Sequence, residues 1–121
     1  MTKQPTRLFD FIYHQEKKYP QDKCYTYKKA DKWSSISTSN FLKQANTVSR
    51  ALLNLGVKKG DKIAVISTNN RPEWHALDIG VLQIGVQNIP LYPTLSEKDY
   101  EYILNHSDAI YCFVSDKDLL D

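Results

Sequence analysis

The chain has only four glycines, at positions 56, 60, 80 and 85. Their spacing forms neither the Gly-x-Gly-x-x-Gly turn of a dinucleotide fold nor a Walker phosphate loop. There are only two cysteines, Cys24 and Cys112, far apart and in strand-like stretches. That excludes a disulfide framework and reads most simply as two reduced, partly buried thiols. His14, His75 and His106 have no metal-ligand spacing with one another or with the cysteines. No serine stands in a nucleophile-elbow context. Strong charge is missing as well: 16 basic against 14 acidic residues leave a formal +2, too little to argue for a nucleic-acid partner or a charged membrane surface. No apolar run approaches the ~20 residues needed to cross a bilayer. The opening MTKQPTRLFDFIYHQEKK lacks the apolar core of a signal peptide. A cytosolic chain without a transmembrane segment is therefore expected.

What is present is globular. Of the 121 residues, 41% are hydrophobic and 25% charged, ordinary usage for one domain. Thr6 is placed to cap a helix over Arg7 to Lys18, with Leu8, Phe11 and Ile12 on one face, ended by Tyr19-Pro20. CYTYK and WSSI flank the polar turn KADK as a β-hairpin. Ser37 or Thr38 starts a second helix, in which Phe41, Ala45, Val48, Leu52 and Leu55 recur at helical spacing. Gly56 follows at the position that favours a left-handed backbone, and Val57 is placed to fold back on Leu52 or Leu53. Ile63 to Ile66 is a continuous apolar run, the mark of a strand buried on both faces.

Asn70-Arg71-Pro72 then turns into a helix with Pro72 in its first turn. Trp74, Leu77, Val81 and Ile84 share one face, and Ile79 and Leu82 make the other side apolar too, so the helix should lie between layers. Gly80 inside it implies close approach to a neighbouring backbone. Asp78 needs an internal hydrogen-bond partner. Gly85 ends the helix, and VQNIPLY reads as a strand whose Pro90 calls for a bulge, a strand end or a sheet edge. Ser96 and Asp99 form a capping box for a helix that turns Tyr100, Ile103 and Leu104 inward. Ala109 to Val114 is a third apolar strand. The fold class is thus α/β: a helix and a hairpin, then a β-α-β-α-β parallel layer with right-handed crossovers.

Open parallel sheets bind ligands outside the carboxyl ends of their strands. Those ends are Ser67 to Arg71, Tyr92 to Ser96 and Ser115 to Lys117. Asn70, Arg71 and Glu73 equally serve a structural reading, closing the turn and pairing locally. No complete active site is visible among these residues.

Three motifs in this order, LGVKKGDKIAVIS, NRPEW and GVQNIPLYPTLS, carry a resemblance from about Tyr25 onward. The chain resembles the N-terminal part of the AMP-forming adenylating enzymes, which include acyl-CoA synthetases, firefly luciferase and peptide-synthetase adenylation domains. NRPEW followed by PLYPTLS looks most like the long-chain fatty acid branch. The resemblance implies a parent enzyme that activates a fatty acid with ATP and Mg²⁺ to an acyl-adenylate and passes it to CoA. It implies that residues 1–121 form part of a larger N-terminal AMP-binding domain. The phosphate-binding loop and the C-terminal domain would lie outside it, so no catalytic residue carries over. By the same resemblance Tyr92, Pro93 and Thr94 map near the CoA nucleotide, although relatives often have glycines there. It also implies that the parent sits at the membrane periphery. The rival readings are a stand-alone CoA or nucleotide-binding module and a protein-interaction module. Self-association of the chain through uncovered sheet edges is expected.

Overall fold

The computed structural model describes residues 4–121. Its elements are α1 (Asp10–Lys18), β1 (Tyr25–Lys29), β2 (Lys32–Ile36), α2 (Thr38–Asn54), β3 (Lys62–Ile66), α3 (Pro72–Gln83), β4 (Gln87–Leu91), α4 (Glu97–Ser107), β5 (Tyr111–Val114) and a short α5 (Lys117–Leu120). β1 and β2 pair antiparallel across Ala30 and Asp31, which both take positive φ, 48° and 63°. β3, β4 and β5 form a parallel sheet in the order β4-β3-β5. β3 is central, which explains its unbroken apolar run: Ile63, Ala64, Val65 and Ile66 are all buried. Pro90 is tolerated because β4 is an outer strand.

Two layers cover this sheet. On one side Leu52, Val57, Ile63, Val81 and Val86 join α2 and α3 to the strands. On the other, Ala64, Ile66 and Leu91 meet Tyr100, Ile103 and Leu104 of α4. Ser37 caps α2 by accepting from the Asn40 N–H. At its far end Gly56 (φ 86°) lets the Val57 N–H reach the Leu52 carbonyl at 3.1 Å, the left-handed helix stop expected there. Ala76 and Gly80 are the buried small residues that seat α3 on α2. A methyl at Gly80 would lie 2.7 Å from Val48 Cγ1 and 3.0 Å from the Ala45 carbonyl oxygen. The Ser49 hydroxyl crosses the same seam to donate to the Gly80 carbonyl at 2.7 Å. Asp78 finds its partner in Asn88, whose amide donates at 2.9 Å. The capping box on α4 is present, Ser96 accepting from the Asp99 N–H and Asp99 from the Ser96 N–H.

Several expectations need correction. α1 begins at Asp10, and Thr6 does not cap it. The Asp10 carboxylate instead reaches back to the N–H groups of Thr6 and Arg7 and pairs with the Arg7 guanidinium at 2.8 Å. That holds the preceding residues in a turn. Leu8 and Phe11 are exposed, not inward. α1 is tied down by the Tyr13 hydroxyl, which bonds Asn46 of α2 and Gln83 of α3. Leu55 is exposed at the end of α2. Cys112 is exposed, because β5 is an outer strand. β5 starts at Tyr111, since Asp108 ends α4 in a left-handed conformation (φ 58°) and the next two residues bridge to the sheet. α5 was not expected. Among the described residues no helix is long and apolar enough to cross a membrane.

Candidate functional site at the strand ends

Parallel pairing puts the carboxyl ends of β3, β4 and β5 on one rim. A cavity of about 690 Å³ opens there, walled by Ser67, Thr68, Asn69, Asn70 and Arg71 after β3, Trp74 and His75 of α3, and Pro90, Leu91, Tyr92 and Pro93 at the end of β4. The topology thus brings Asn70 and Arg71 together with Tyr92 and Pro93. It does not bring in Thr94, which lies off this wall, or Glu73, which faces the neighbouring grooves.

The walls are fixed from behind. The Tyr100 hydroxyl donates to the Tyr92 carbonyl at 2.6 Å, holding that backbone while Tyr92 as a residue stays 77% exposed. His75 stacks on Tyr25 of the hairpin at 5.0 Å and meets Trp74 edge-on at 5.3 Å. Tyr25 in turn packs on the buried Phe41 at 4.8 Å. A chain of aromatic contacts therefore runs from α2 through the hairpin to the cavity wall.

The loops after β3 and β5 are locked by Asp116. Its carboxylate accepts from the Ser115 hydroxyl at 2.8 Å and the Thr68 hydroxyl at 2.9 Å, and from the Leu119 N–H of α5. The Ser115 hydroxyl also accepts the Thr68 N–H at 3.0 Å. These bonds, Ser115 first and then Thr68, with Leu119 and the positive Arg71 behind them, hold the Asp116 carboxyl below the usual carboxylate range. A lowered pKa in the folded state means stability that is complete above the unfolded carboxylate value of roughly 3.9. It is lost as pH falls through the lower, folded value. Acid titration of thermal melts should therefore show wild type losing an increment that Asp116→Asn lacks at every pH. Coincident pH profiles would remove this lock.

Sequence reasoning named the loops but missed the cavity roles of Trp74 and His75 and the lock at Asp116. A signal existed for each. The first two stand two and three residues after Pro72, which opens α3, on the turn nearest the strand ends. Ser-Asp before Lys-Asp-Leu-Leu is a helix start.

Comparison with known proteins adds family information to this geometry. The family model described as AMP-binding enzyme matches residues 12–121. Fatty acyl-CoA synthetase A of Dictyostelium discoideum is 39% identical over 77 residues, covering 64% of this chain and 11% of that protein. The long-chain-fatty-acid–CoA ligase FadD15 of Mycobacterium bovis is 30% identical over 81 residues, covering 67% and 13% respectively. This chain thus spans a small part of the relatives it matches. Among solved structures, the fatty acid AMP ligase of Legionella pneumophila superposes with a TM-score of 0.79 over 92% of this chain and 20% of its own, at 20% identity. The N-terminal subdomain of Klebsiella oxytoca NpsA gives 0.76 over 93% and 28%, at 19% identity. At such identity the superpositions establish the fold alone.

Proposed function

Because this chain belongs to the AMP-binding enzyme family, we propose that it is the N-terminal part of an ATP-dependent acyl-CoA synthetase acting on a long-chain fatty acid, and that its strand-end cavity faces CoA. In that reaction the fatty acid carboxylate displaces pyrophosphate from ATP, and the CoA thiol then displaces AMP. The relatives at 39% and 30% identity are fatty acyl ligases by name, which supports the substrate class. One observation carries the assignment of the cavity: Tyr92 and Pro93 share a wall with Asn70 and Arg71, at the edge where parallel sheets take ligands. Mg²⁺ belongs to this reading as a cofactor of the parent reaction.

The phosphate-binding loop and catalytic lysine of the proposed reaction lie in the rest of the parent. This chain is therefore a partial domain that does not adenylate by itself. The parent is assigned to the cytoplasm and the membrane periphery. Calorimetry tests the cavity directly. CoA should bind, and Tyr92→Ala should weaken binding by removing an exposed ring from the wall. No heat at millimolar CoA removes the CoA assignment, and fatty-acid-dependent exchange of pyrophosphate into ATP by the pure chain removes the inactivity. Self-association is a further part of this reading, supported by β5: among the described residues it pairs only with β3 and leaves Tyr111 and Phe113 exposed.

A further inference from the structure

The formal charge of +2 conceals a division within the chain. Residues 4–33 carry seven basic and four acidic side chains, a formal +3, whereas residues 97–121 carry two and seven, a formal −5. The fold sets these segments on opposite sides. α4 lies against the Ala64, Ile66 and Leu91 side of the sheet. α1 and the hairpin lie beyond the helices of the other side: Tyr13 of α1 bonds Gln83 of α3, and Tyr25 of the hairpin stacks on His75 of α3. His75 and Gln83 are eight residues apart and share a face of that helix, while Val81 packs with the strands. α1 and the hairpin therefore form one outer layer over α2 and α3.

That layer is basic and also displays apolar groups. Asp10 and Asp31 are taken by Arg7 and Lys28. Lys17, Lys18, Lys23, Lys29 and Lys32 are exposed and have no carboxylate partner among the described residues. Leu8, Phe11 and Tyr19 are exposed, and Trp33 is 72% exposed. Trp33 stands directly across from Lys28, so indole and ammonium share one face of the hairpin. α4 also exposes a ring, Tyr102, but among Glu97, Asp99 and Glu101. Lysine beside exposed tryptophan suits an anionic lipid interface, where ammonium groups meet headgroups and the indole sits at the acyl boundary. An anionic polymer would satisfy the lysines and leave Leu8, Phe11 and Trp33 in water.

We infer that the layer formed by α1 and the β1–β2 hairpin docks on an anionic lipid surface, with α4 turned away from it. The division of charge sets this orientation during approach. The inference names the face by which the parent would meet the membrane periphery, and it rests on that part of the proposed function.

Co-sedimentation of the 121-residue chain with vesicles tests it. Phosphatidylcholine vesicles with roughly one third phosphatidylserine should bind the chain, pure phosphatidylcholine should bind it about tenfold less or not at all, and salt should weaken the binding. Lys29→Glu with Lys32→Glu should weaken binding about tenfold or more. These two lysines face each other across the hairpin, so reversing both preserves their mutual repulsion. Lys98→Glu with Lys117→Glu makes the same change in net charge at α4 and α5, and should stay within about twofold of wild type because those sites lie beyond the screening length. All the substituted side chains are exposed, so folding is retained. Equal loss in the two double variants means that net charge alone acts, and overturns the face. Trp33→Ser should weaken binding severalfold, and brominated acyl chains should quench the fluorescence of wild type but not of Trp33→Ser. Vesicle binding unchanged in Trp33→Ser, with duplex DNA bound as tightly as the vesicles, assigns the lysines to a polyanion and overturns the lipid. No binding to the anionic vesicles overturns the inference outright and leaves the synthetase reading to the CoA calorimetry, which decides it separately.

Discussion

Phe41→Ala is expected to lower the unfolding free energy by about 3–5 kcal/mol, the range for deleting a buried phenyl ring. Phe41 is 1% exposed and sits where α2 meets the hairpin, its ring 4.8 Å from that of Tyr25. The alanine variant loses the transfer energy of the ring and leaves a void that the hairpin, held by only two strands, closes poorly. The damage should not stay local. Tyr25 stacks on His75, and His75 lines the strand-end cavity. Urea melts with unchanged slope and a much lower midpoint would confirm the loss of core. A parallel drop in near-ultraviolet circular dichroism before the main transition would show the hairpin letting go first. A midpoint within error of wild type would mean that the hairpin and α2 are not energetically joined.

Gly80→Ala should cost about 1–3 kcal/mol by overpacking, offset by up to ~1 kcal/mol of gained helix propensity. The added methyl meets Val48 Cγ1 at 2.7 Å and Cβ at 2.8 Å, and the Ala45 backbone oxygen at 3.0 Å. A flexible side chain alone would turn aside, but Val48 is β-branched and stiff, and the backbone of α2 is part of the obstacle. The helices must separate, which also stretches the Ser49 bond to the Gly80 carbonyl. Gly80→Val should be worse, and a denaturant series of the three proteins measures the order. Equal stability of glycine and alanine would show that α2 and α3 part by a few tenths of an ångström without penalty.

Much of this architecture is legible in the residues because local and tertiary signals agree. The β-branched run of β3, Gly56 with Val57, Pro72 and the Ser96–Asp99 pair each announce a boundary, and each is where the structure has it. Gly80 is legible for a different reason: a glycine in an apolar helix has few uses besides close packing. α1 is misread because the Asp10 carboxylate reaches back to the N–H groups of Thr6 and Arg7 and to the Arg7 guanidinium, which folds the residues ahead of it into a turn instead of a first helical turn. The exposure of Leu8, Phe11 and Cys112 cannot be read from periodicity, which reports which residues share a face but not whether anything covers that face. The candidate site is half legible. Strand ends can be counted along the chain, whereas the meeting of Thr68 with Asp116, or of His75 with Tyr25, depends on how the layers turn against each other.

The central place of β3 sets a timetable. Lys62 must wait for Gln87 to emerge before its first sheet partner exists, and Ile63 must wait longer still for Tyr111. During synthesis the hairpin and α2 are complete early, while β3 carries two open flanks rich in isoleucine and valine. Pairings this distant along the chain close slowly. An unpaired apolar strand is the kind of surface on which nascent chains stick together. The interval between the making of Ile66 and the arrival of Val114 is therefore when this polypeptide most needs a chaperone.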